Sequence, residues 1–170
     1  MKKLLKAFAI ACVAVMMAAP GAAAPLEFIN EPEALRISKE AQAIMKAARQ
    51  SGLDASLTYI HGSASSLRFP INTVYRMASA LGFIQGKAGT GEAMAAALTV
   101  ANVTIEQNMK HLREMLDDVR GVTGHLTESN KENLFLRLEK CIQDSIALLE
   151  DMKKRCQKAF SKTGHPPVGG

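Results

Sequence analysis

Two segments, residues 91–120 and 130–161, carry an apolar side chain at every third or fourth position, and this leaves the chain little choice of fold. In the first, Met94, Leu98, Ala101, Ile105, Met109, Leu112, Leu116 and Val119 fall on one face of a helix. In the second, Phe135, Leu138, Ile142, Ser145, Leu149, Met152, Cys156 and Ala159 form a seam that Leu134, Cys141, Ile146 and Leu148 widen. A stripe that broad belongs to a helix buried in a bundle, not to a bare two-stranded coil. The first helix would be roughly 45 Å long at ~1.5 Å per residue. Gly121 and Gly124 are expected to break it, and Ser129 with Glu132 makes a capping box that opens the second. Helices of matched length joined by about nine residues imply a long antiparallel αα-hairpin.

The rest of the chain supplies the partners that hairpin needs. A helix is predicted from about Glu31 to Ser51, with Asn30 as N-cap, Pro32 in the first turn and Gly52 in the left-handed position after its end. Leu35, Ile37, Ala41, Ile44, Met45 and Ala48 make its apolar face, and Leu53 can fold back on it. A short helical turn follows over 54–60, and His61-Gly-Ser-Ala-Ser-Ser66 reads as a loop by composition. Another helix starts near Pro70, carries Ile71, Val74, Tyr75, Ala78, Leu81 and Ile84, and ends in the glycine-rich run 86–91. No stretch alternates with a period of two, as a strand would. The fold class is therefore all-α, an up-and-down bundle of about four helices dominated by the hairpin.

Residues 1–23 stand apart. Lys2, Lys3 and Lys6 are followed by an uncharged apolar run from Ala7 to Ala19 and a small-residue close around Gly21-Ala22-Ala23, the three parts of a secretory signal peptide with the cut before Ala24. The run is shorter than the ~20 residues a spanning helix needs, and Cys12 reads as one of its apolar residues. The full chain has 170 residues, a formal charge of +5 and three Cys. Without the leader, three lysines and one cysteine are gone and the remainder is nearly neutral, so nucleic acid is not an expected partner. The mature chain is expected in the periplasm or outside the cell, as a single domain over 24–162 with a flexible tail over 163–170.

Chemistry-bearing residues are few. Cys141 and Cys156 lie fifteen positions apart inside one predicted helix. That would hold their Cα atoms roughly 22 Å apart, against under ~7 Å for a disulfide. Three readings stay open: the helix is broken, the bridge is intermolecular, or both thiols are free. His111 and Met115 are four apart and are the candidate ligands for a soft metal or haem iron, although His111 falls off the apolar stripe. No Glu-x-x-His pair supports di-iron chemistry. The Gly86–Gly91 run lacks the spacing of a phosphate-binding loop. Asn102-Val-Thr104 matches a glycosylation acceptor but lies mid-helix. Lys153, Lys154, Arg155, Lys158 and Lys162 crowd the end of the last helix, as a basic patch for an anionic surface or as partners of the helix dipole. Asp151 stands four before Arg155 as a pairing partner. With no catalytic set in view, the expected activity is non-enzymatic: binding of a protein partner or self-association, with no cofactor.

Overall fold

The computed structural model describes residues 28–52, 54–88, 91–123 and 129–162, and among these it holds four helices and no strand. They are α1 (Glu31–Gln50), α2 (Ala55–Ala88), α3 (Glu92–Thr123) and α4 (Ser129–Phe160). The protein is an all-α helical bundle. The leader at 1–23, the tail at 163–170, Leu53, Gly124 and the Ser129 side chain lie outside what the structure describes.

One expectation is corrected. The predicted turn over 54–60, the loop over 61–66 and the helix from Pro70 are a single 34-residue helix, with Pro70 inside it. Leu57, Ile60, Ala64, Leu67, Ile71, Val74, Ala78 and Leu81 are all buried and follow one another at steps of three and four. Burial of that stripe outweighs the weak helix preference of Gly and Ser, worth ~0.5–1 kcal/mol per residue against Ala. Pro70 has no N–H to give to the Ser66 carbonyl. Asp54 starts the helix, its Oδ1 accepting the Leu57 N–H at 2.8 Å as an N-cap does. Lys131 and that N–H together hold the Asp54 carboxyl below the usual range. Smaller corrections follow the same logic: α3 continues through Gly121 to Thr123, while Leu35 and Tyr75 face solvent and Ala34 takes the inward place in α1. Gly52 does end α1 with φ of 118°.

Two compact units divide the chain, and α2, α3 and α4 each contribute to both. The four-helix unit comprises Pro32–Asn72 and Asn108–Leu148. Ile37 and Ile44 from α1, Ile60 and Leu67 from α2, Leu112 from α3, and Phe135, Leu138 and Ile142 from α4 are fully buried there. Burying each is worth ~1.5–3 kcal/mol. The Phe135 ring stacks on Tyr59 with centroids 6.1 Å apart. Polar contacts set the directions. Arg36 meets Asp144 and Glu40 meets Arg137, so α1 runs antiparallel to α4. Asp54 meets Lys131 and Tyr59 meets Phe135, so α2 runs parallel to it.

The three-helix unit comprises the described residues of Met1–Glu31, Thr73–Gln107 and Leu149–Gly170. Phe28 and Ile29 precede α1 and are buried, and the Tyr75 hydroxyl donates to Glu31 at 2.8 Å. Its core mixes small Ala78, Ala97 and Ala101 with Met77, Met94 and Met152. Lys153 of α4 reaches Glu106 of α3 at 2.9 Å. Arg120 and Glu139, in the four-helix unit, pair at 2.8 Å.

Candidate functional site

The three-helix unit holds an open cleft of about 500 Å³. α4 forms one wall. Asp151, Arg155 and Lys158 follow one another at steps of four and three, which lays their side chains along one face of the helix, with Ala159 beside them and Lys162 in the turn after the helix ends. Phe28, Gln85 from the last turn of α2, and Met94 from the first turn of α3 complete the lining. Phe28 and Met94 are each 2% exposed, so they pack beneath the cleft and present almost no surface to it.

The charges are unequally committed. Arg155 gives its Nε–H to Asp151 at 2.7 Å, the pairing expected four residues apart. Lys158 and Lys162 are exposed and have no ion-pair partner among the described residues. Three cations against one carboxylate leave the lining at a formal +2. The carbonyl end of a helix carries about half a negative charge. It therefore offsets only a fraction of that surplus.

Of the five residues of the predicted basic patch, three line the cleft and two do not. Lys153 is committed to Glu106, and Lys154 points to solvent. Phe28 and Gln85 carried no signal in the sequence and Met94 only that of a core position, since only the folded chain brings the lead-in, the end of α2 and the start of α3 to the end of α4.

The other candidates lie elsewhere. Cys141 and Cys156 are both reduced and each is 2% exposed. Cys141 donates its S–H to the Ile37 carbonyl at 3.7 Å. Burial pushes both thiols up to about 12, so neither is a thiolate at neutral pH. α4 is continuous between them, so they do not meet within one chain. An intermolecular bridge through either would first have to open that packing. His111 is exposed and Met115 is in the core of the four-helix unit at 9% exposure, so the pair is split between solvent and interior. Among the described residues no three His, Cys, Asp or Glu side chains gather as metal ligands, and no helix is long and apolar enough to cross a membrane. Asn102 lies within α3 with its side-chain oxygen buried.

No protein-family profile matches the chain, no curated protein matches it, and no solved structure matches it.

Proposed function

We propose that this chain is exported and acts, without catalytic chemistry of its own, by binding a protein partner. The basic, apolar and small-residue order of residues 1–23 supports the export half of that reading. One observation carries the binding half: Phe69, in the four-helix unit, is 73% exposed on α2, with exposed Arg68 beside it and exposed Asn72 one turn on. Aromatic and arginine side chains dominate the energetics of protein interfaces. An aromatic ring held out in water gains ~1.5–3 kcal/mol when a partner covers it.

Placing a photo-crosslinking residue at Phe69 in the full chain, expressed in its own cells, tests the binding half. A discrete heavier adduct from position 69, and none from Lys110, whose side chain is 80% exposed, is the expected result. Equal or absent adducts at both positions overturn it. Export is tested separately by sequencing the N-terminus of the extracytoplasmic protein, which is expected to begin at Ala24.

A further inference from the structure

We propose that α2 pairs with α2 of a second copy of this chain, antiparallel about a two-fold axis between Ser65 and Ser66, so that each Phe69 ring seats on the other copy's Gly62. This names the partner in the reading above and rests on that reading. The outward face of α2 in the four-helix unit decides the geometry. Leu57, Ile60, Ala64, Leu67 and Ile71 are buried on its inward face. At roughly 100° per residue, the middle of the opposite face falls on Gly62 and Phe69. Phe69 is 73% exposed, and Gly62 has open space where a Cβ would go. The face thus carries a knob and a hole about two turns apart, with exposed Ser65 and Ser66 between them. In a two-fold pair, residue i meets residue j and j meets i. Gly62 and Phe69 lie equally far from an axis between Ser65 and Ser66, so the same operation fills both holes at once.

Charge selects a second copy over an unlike partner. From Ala55 to Leu67, α2 has no Lys, Arg, Asp or Glu, and Arg68 stands at the edge of the outward face rather than in its middle. Two copies therefore bring no charge into the contact, whereas a strongly acidic partner would find a single arginine at the rim. Small side chains at Gly62, Ser65 and Ser66 let the helices approach to the short end of the ~8–10 Å usual between packed helices. At that distance the ring reaches its hole. Area then sets the strength. An aromatic side chain buries about 150–250 Å². Two of them, with a few turns of small side chains, stay below the ~1,200 Å² at which stable interfaces begin, so the dimer is weak and concentration-dependent.

The test uses the full chain after leader removal, in sedimentation equilibrium from micromolar to millimolar concentration. A reversible monomer–dimer equilibrium is expected. Phe69→Ala removes the knob and Gly62→Leu fills the hole, and each should weaken the dimer at least about tenfold. Lys110→Gln should leave it unchanged. Both α2 positions are open to solvent, so circular dichroism of the two variants should match the parent. A bridging arm fixes the register. With helices ~8 Å apart and Cα atoms on a radius of ~2.3 Å, the two Ser65 Cα atoms beside the axis come within the ~7 Å that a disulfide spans. Oxidised Ser65→Cys should therefore run as a dimer on a non-reducing gel, and Lys110→Cys as a monomer. A monomer at every concentration, a dimer indifferent to both substitutions, or absent or equal bridging at positions 65 and 110 overturns the proposal. A position-69 photoadduct to an unlike protein, with this chain monomeric, overturns self-pairing alone and leaves the partner reading standing.

Discussion

Phe135 and Ser145 sit on the same seam of α4, both with no exposed surface, yet their substitution should have opposite weight. Removing the Phe135 ring takes away a fully buried group stacked on Tyr59 and leaves a cavity that a close-packed interior fills only in part. Phe135→Ala is expected to cost ~3–5 kcal/mol, read as a lowered urea midpoint with an unchanged slope. The Ser145 hydroxyl donates to the Cys141 carbonyl of its own helix at 2.7 Å. That carbonyl already takes the helical N–H, so Ser145→Ala orphans no polar group and should change stability by less than about 0.5 kcal/mol in the same measurement. Most of this residue-scale detail was legible in the sequence. Every stripe position named on α3 is buried, and so are those on α4 except Ile146 and Ala159, because 3.6 periodicity converts directly into burial on a long helix. The cleft was legible only as a run of charge. Which of those cations meet the lead-in, the end of α2 and the start of α3 depends on tertiary packing, and that does not appear in local spacing.

At the scale of the element, α2 shows how a local reading goes astray. Gly62, Ser63, Ser65 and Ser66 look like a loop when each is weighed by its own preference. Ala64 and Leu67, both fully buried, place the same segment on the helix stripe. Glycine substitutions separate the two interpretations. Gly62 lies inside α2 with open space where a Cβ would go. Gly62→Ala should therefore raise stability by ~0.8–1 kcal/mol, a gain that a loop glycine would not give. Gly52 also has open space, but its φ of 118° suits only glycine. Gly52→Ala should lower stability by ~1–3 kcal/mol through backbone strain alone. The two thermal midpoints should move in opposite directions; a shared direction would mean that α2 is interrupted.

At the scale of the molecule, ionic contacts give the four-helix unit a defined response to acid. Glu33 is held below its usual range by its bond to Arg36. Burial opposes ionisation of Asp144, but bonds from Arg36 and Lys140 outweigh it, and its carboxyl too lies low. Carboxyls depressed in the folded state contribute stability that is complete above their unfolded values and is lost as pH falls through the folded ones. The urea midpoint should therefore hold from pH 7 to about 5 and decline below about 4, most steeply beneath the normal carboxylate range. Asp144→Asn should flatten that decline. The placement of both cysteines on one unbroken helix has a different consequence, in the order of events after synthesis. An unfolded chain closes a loop between Cys141 and Cys156 readily, and the resulting bridge needs its Cα atoms within ~7 Å, where the helix sets them about 22 Å apart. Oxidation before α4 forms would thus trap the chain away from its fold, while oxidation afterwards finds both sulfurs sealed in the core. Folding and oxidation are in a race that folding must win. Refolding from urea should recover less native protein with oxidised glutathione than with a reductant, and Cys156→Ser should abolish the difference.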